Sequence, residues 1–279
     1  MTKSKRRSRA AWEDEFTTIP ESEWQTIFWE AMSLFEEGQY DRAVVVATKA
    51  LQFAEQALEP EHTFVATSLD WLADSHVNLN QHAQAEPHYK RALAIREIVG
   101  EPHNIAGSLN QLANLYQTQG QFAKAEALIR RALEICEVEI DIDDRAVALY
   151  SKHLALLHAA QEQYAQAEPL YKRALAILDK ELGPDHLIVA FALTNLAELY
   201  AIQGQHAQAE PLYKRALAIL GQDAGANYLG PIWVLEKMAQ LHSQTARKVS
   251  GMGLEQRLAS LGAVALFAKG GTVGTGTLH

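Results

Sequence analysis

One eleven-residue string returns along this chain at a nearly fixed interval, and that recurrence restricts the fold more than any other feature. AEPLYKRALAI begins at Ala209 and again at Ala167, AEPHYKRALAI begins at Ala85, and a drifted AEALIRRALEI begins at Ala125. A more distant copy begins at Ala43, with Ala50 and Leu51 at the matching offsets. The starts lie 42, 40, 42 and 42 residues apart. A second block precedes the string: LDWLADSH at Leu69, LNQLANLY at Leu109, LTNLAELY at Leu193, and VLEKMAQLH at Val234 one period later. A repeat of this length is one supersecondary unit used over and over.

Within the clearest copy, Leu193, Leu196, Ala197 and Tyr200 fall at i, i+3, i+4 and i+7, one face of an α-helix. Ala209, Leu212, Ala216 and Leu217 do the same for the following block. Gly204 lies between the two, where a helix–helix turn needs a break. Pro211 is read here as lying in the opening turn of the second helix, where a missing N–H costs nothing. Each unit is therefore helix, short turn, helix. One such pair cannot bury its own apolar stripe, so neighbours must stack.

The chain divides accordingly. Residues 1–23 are expected to form a flexible arm, basic and then acidic, and residues 24–220 to hold five helix pairs. Residues 221–268 hold a degraded sixth pair that caps the stack, with Trp233 to Arg247 as its first helix and Leu254 to Ala268 as its second. Residues 269–279, rich in Gly and Thr, are expected to be a flexible tail.

The pattern L-x-x-L-A-x-L-Y…Q-G…A-E-P-L-Y-K-R-A-L-A-I, joined through Leu182-Gly183-Pro184-Asp185-His186, resembles the 42-residue tetratricopeptide repeats of the kinesin light chain group. The resemblance covers roughly residues 24 to 247. It implies an all-α fold, a right-handed superhelical α-solenoid of antiparallel helix pairs, whose first helices line a concave groove. The match to kinesin light chain itself is weaker, because residues 1–23 are too short for the long coiled coil of that family. Three local departures stand out. Ser151 replaces an expected leucine, the turn at Gly100 to Asn104 is two residues short, and the first repeat has one residue fewer before Gly38.

Composition removes several function classes. The net charge is −9, yet the first ten residues carry five cations (Lys3, Lys5, Arg6, Arg7, Arg9) and no acid. The body is thus more acidic than the total, and it repels nucleic acid backbones. Cys136 is the only cysteine, so no intramolecular disulfide forms, which suits a reducing compartment. No apolar run is long enough for a signal sequence or a membrane span, and a cytoplasmic protein is expected.

Eleven histidines invite a metal reading, but eight are accounted for by repeat position. His76, His158 and His242 share a slot with Tyr116 and Tyr200, and His82 and His206 share one with Tyr40, Phe122 and Tyr164. His62, His103 and His186 fall in turns between repeats. The tail GGTVGTGT lacks the lysine and the helix that a phosphate-binding loop requires, and the acids Asp143 and Asp144 have no basic or nucleophilic partner in view. No nucleophile motif and no nucleotide fingerprint occurs. The chain is expected to be non-catalytic and to need no cofactor and no metal.

Opposite the packed face, Phe191, Asn195, Glu198 and Ile202 lie on the far side of the first helix of repeat five. The resemblance implies that this face lines the groove. The corresponding and neighbouring residues Trp71, Asp74, Asn110, Gln111, Asn114, Leu149, His153, Leu156, Trp233 and Lys237 complete the predicted partner-binding set. The stripe is polar in repeats two and three and partly apolar from repeat four onward. Those apolar residues either bind a partner or pack on the adjacent first helix. Asparagine offers both a donor and an acceptor to a peptide backbone, and the resemblance implies that role for Asn114 and Asn195.

The expected function is a scaffold or adaptor that holds a partner's peptide in the groove. The alternative is a regulatory sensor for a signalling peptide or small ligand. The basic arm either targets an anionic surface or import receptor or only solubilises the chain. The segment Trp12-Glu13-Asp14-Glu15-Phe16 is a candidate for folding back into the groove.

Overall fold

The computed structural model describes residues 23–138, 143–222 and 229–244, and among these all regular structure is helical. The helices are α1 (Glu23–Glu36), α2 (Tyr40–Ala57), α3 (Thr63–Asn78), α4 (His82–Val99), α5 (Pro102–Thr118) and α6 (Phe122–Val138). They continue as α7 (Asp144–Ala160), α8 (Tyr164–Leu182), α9 (Leu187–Ile202), α10 (His206–Gln222) and α11 (Leu229–Gln244). The chain divides within α6 into two compact units, residues 1–128 and 129–279. The expected second helix of the sixth pair, the N-terminal arm and the tail lie outside the described residues.

The turns inside each pair are cut to one pattern. Gly38, Gly120 and Gly204 take left-handed backbone, with φ of 77°, 72° and 72°. At Gly204 the N–H reaches back to Ala201 O at 3.0 Å, and the Gln205 N–H reaches Tyr200 O at 2.8 Å. This pair of bonds satisfies carbonyls that the helix end leaves open and reverses the chain within three residues. Asn80 (φ 58°) and Glu162 (φ 60°) hold the same conformation in repeats two and four. Asparagine tolerates it; glutamate does so at a steric cost.

The proline reading needs correction. Pro87, Pro169 and Pro211 lie inside α4, α8 and α10, each at the sixth residue of its helix. The helices start earlier than the conserved string, at the His or Tyr just after the turn. Each proline therefore removes one helical hydrogen bond, the one to the carbonyl four residues back. Those carbonyls belong to Ala83, Ala165 and Ala207, all exposed, so water satisfies them.

Turns between pairs carry their own caps. His62 Nδ1 accepts from the Phe64 N–H at 3.1 Å, His186 Nδ1 accepts from the Ile188 N–H at 3.2 Å, and Asp143 Oδ1 accepts from the Arg145 N–H at 2.9 Å. Each side chain satisfies one open N–H of a helix N-terminus. His103 departs from the turn expected for it. Gly100 turns the chain at φ 79°, Glu101 precedes the helix without a side-chain cap, and Pro102 opens α5, so His103 is already helical.

In the first unit the core runs through α1 to α4. Trp24 anchors its start, stacked on Phe64 at 4.1 Å and Phe28 at 4.8 Å, with its indole N–H donating to Ser68 Oγ at 3.1 Å. The second unit is built mainly from Leu, Ala and Tyr of α7 to α11, including Leu193, Ala197, Ala209 and Ala216, all 0% exposed. Burying a leucine such as Leu193 contributes about 2 kcal/mol. The alanines let paired helices approach closely.

The Ser151 departure also has a physical account. Sister repeats place a small residue before a leucine: Ser68-Leu69, Ser108-Leu109, Ala192-Leu193. Repeat four reverses the sizes, with Tyr150 5% exposed and Ser151 0% exposed. Bulk lost at one position is returned by its neighbour, although the Ser151 hydroxyl is left without a hydrogen-bond partner.

Candidate partner-binding face

The residues opposite each packed stripe differ in character between the two units. In the second unit, Leu149 and Leu156 on α7 are 39% and 36% exposed, and Phe191 and Ile202 on α9 are 43% and 66% exposed. These four are not spent on neighbouring helices. Asn195 lies half-buried between Phe191 and Ile202 on the same face. Trp233 differs, because it packs partly buried against the core of the second unit.

The charges on this face are largely used up. Lys237 forms an ion pair with Glu198 and sits 5.9 Å from the centre of the Trp233 ring. Burial, reinforced by the neighbouring Lys152, pushes His153 down to about 4, so its imidazole is neutral at pH 7. Burial also lowers the pKa of Lys152. The face is mostly apolar with one amide and little net charge.

In the first unit the expected set is more deeply committed. Trp71 sits edge-on against Phe28 at 6.0 Å and Phe35 at 5.2 Å. Asp74 accepts a hydrogen bond from the Tyr89 hydroxyl. Asn110 and Gln111 are half-buried on α5, and Asn114 is exposed one turn later. Sequence reasoning passed over Trp29, which is half-buried on α1 with its ring edge-on to Phe28 at 5.5 Å.

Two further arrangements repeat with the chain. Arg91 pairs with Glu55, Arg173 with Glu137 and Arg215 with Asp179, each across 36 residues to the preceding second helix. Tyr116 donates to Glu86, itself paired with Lys90, and Tyr200 donates to Glu168, itself paired with Lys172. The E-P-x-Y-K spelling, with Glu and Lys at i and i+4, was the available signal.

The histidines do local work. His76 and His158 place Nδ1 2.7 Å from Gln81 and Gln163, and the Nδ1 atoms of His82 and His206 are buried without hydrogen bonds. Among the described residues no group of three His, Cys, Asp or Glu could hold a metal ion, and no helix is long and apolar enough to cross a membrane. Cys136 is buried, and burial together with Glu137 pushes its thiol up to about 11, far from a reactive thiolate.

Successive helix pairs with left-handed turns, small residues at the pair contacts and a separate exposed stripe define a helical-hairpin repeat protein. The tetratricopeptide repeat model matches residues 26–98, 68–137, 104–180 and 144–222, and the chain belongs to that family. Among solved structures it is similar to BtubC (BKLC) from P. vanneervenii, with 20% identity over 93% of this chain and 97% of that one, at a TM-score of 0.69. It is also similar to a Podosopora anserina putative kinesin light chain with nearly identical TPR-like repeats, with 22% identity over 74% and 100% of the two chains, at a TM-score of 0.63. A Rap protein complexed with Competence and Sporulation Factor aligns at 15% identity over 90% and 78%, at a TM-score of 0.59. These likenesses concern the fold. No curated protein matches the sequence.

Proposed function

We propose that this protein is a non-catalytic adaptor that holds a peptide segment of a partner against the exposed face of its first helices. The observation that carries the reading is the set Leu149, Leu156, Phe191 and Ile202, large apolar residues between 36% and 66% exposed on helices whose other faces are packed. Scattered single apolar residues need no explanation, but four exposed on the corresponding faces of two successive first helices are of the kind that mark a binding surface. Asn195 supplies a donor and an acceptor to a peptide backbone among them, and Asn114 does so in the first unit.

The test is the double substitution Asn114→Ala with Asn195→Ala. Binding to partners captured by the unaltered chain weakens while the thermal melt stays in place. Equal capture by the double variant rejects the reading.

A sensor role is the second reading, supported by the fold likeness to a Rap protein solved with Competence and Sporulation Factor. A ligand that slows proteolysis of residues 245–279 favours the sensor. Isolation of a stable stoichiometric complex with a protein partner favours the adaptor.

A further inference from the structure

An ionisable side chain in the second unit lacks the counter-charge that its slot has in the first. Lys152 stands on α7 where Asp70 stands on α3 and Thr194 on α9, both of them buried. In the first unit the charge in that slot is answered, because Arg96 pairs with Asp70 and also donates to Ser108. At the positions of Arg96 and Ser108 the second unit has Leu178 and Ala192, which are buried and apolar. On α7 the residues one turn away, Ala148, Leu149, Ala155 and Leu156, carry no charge either. Among the described residues no carboxylate pairs with Lys152.

Other lysines of the chain are held differently. Lys90, Lys172 and Lys214 each pair with a glutamate one turn back, Glu86, Glu168 and Glu210, and Lys237 pairs with Glu198. An acid beside an ammonium favours the charged form. Lys152 has only burial acting on it, and burial lowers its pKa. A larger share of it therefore stands as free amine, and only the free amine attacks a carbonyl carbon. Lys152 is half-buried, so the slot covers its stem without sealing the residue in. Leu149 and Leu156, one turn to either side of it, are exposed and offer an apolar bed beside the amine.

We propose that Lys152 is an acylation site, whose Nζ takes the acyl group of a short-chain acyl thioester. The Nζ lone pair attacks the thioester carbonyl carbon, a C–N bond forms and the C–S bond breaks. The thiolate leaves with the bonding electron pair and takes up the proton that the amine releases. The product is an uncharged amide, and its acyl chain extends the apolar stripe between Leu149 and Leu156. The site is independent of whether that stripe holds a peptide.

Acetyl-coenzyme A serves as the probe. The full chain is incubated with it at mildly alkaline pH, and acetylated lysines are followed over time by mass spectrometry. Lys152 is expected to gain acetyl several-fold faster than Lys90, Lys172 and Lys214 in the same molecule. Leu156→Glu places a carboxylate one turn after Lys152 and is expected to slow it to the rate of those three lysines. Leu156→Gln, polar but uncharged, is expected to leave it fast. In urea that unfolds the chain, the lead of Lys152 is expected to vanish. A rate at Lys152 no higher than at the paired lysines overturns the proposal, as does a lead that persists in urea or survives Leu156→Glu.

Discussion

The junction between repeats two and three and the junction between repeats four and five use the same three slots in opposite ways. In the first unit the slots hold Asp70 on α3, Arg96 on α4 and Ser108 on α5. Arg96 donates to both of the others, and the Asp70 and Arg96 side chains are 10% and 14% exposed. In the second unit the slots hold Lys152, Leu178 and Ala192, and Leu178 and Ala192 are buried at 7% and 5% exposure. One backbone repeat thus accepts an ionic joint or an apolar one. The apolar joint tolerates adjustment. The ionic joint is all-or-nothing, because either charge left alone in the interior is costly.

Breaking the ionic joint is expected to give the largest effect. Arg96→Ala strands the Asp70 carboxylate and lowers stability by about 3–5 kcal/mol, read from urea denaturation. Removing the ion pair altogether, with Asp70→Thr and Arg96→Leu together, is expected to return stability to near the starting value. If the single and double variants fall equally, the ion pair is not what the joint depends on.

The same joint has a pH signature. Burial raises the pKa of Asp70 above its usual value of 3.8, outweighing the pull of Arg96. A carboxyl whose folded pKa is raised binds its proton more tightly in the folded state. Its contribution is therefore most favourable below pH 3.8 and is lost as pH rises through the raised folded value. The stability of the unaltered chain relative to Asp70→Asn should fall across that window.

Next in size is the apolar joint. Leu178→Ala should cost about 2–4 kcal/mol through lost burial and the cavity left behind, without the pH signature. A loss below about 1 kcal/mol would show that the second unit collapses around the gap. The smallest effect concerns the turns. Glu162→Gly relieves left-handed backbone and should stabilise by about 1 kcal/mol. No gain in the urea midpoint would mean that Glu162 makes a compensating contact.

The helix pairs were legible because they are written twice, once as 3.6-residue periodicity and again as the recurring string. Leu193, Leu196, Ala197 and Tyr200 all fall on the packed side of α9. Boundaries were less legible. Pro211 was placed near the helix start because the recurring string begins at Ala209, while the helix begins at His206, just after the turn. The exposed stripe on α7 and α9 could be read from the 100° step, since facing away from the core is a property of one helix. What could not be read was which stripe residues their neighbours had already engaged.

Taken by itself, the sequence determined the helical class, the pairing and the turns inside each pair, because these depend on contacts between residues close in the chain or repeated along it. Tertiary structure alone decided that Trp71 braces an aromatic cluster, that Lys237 is held by Glu198 and that Asp70, Arg96 and Ser108 form one buried unit. The physical reason is range. Periodicity fixes the direction in which a side chain leaves its helix, but ring contacts and ion pairs depend on ångström-scale distances between helices, and those exist only after the repeats have stacked.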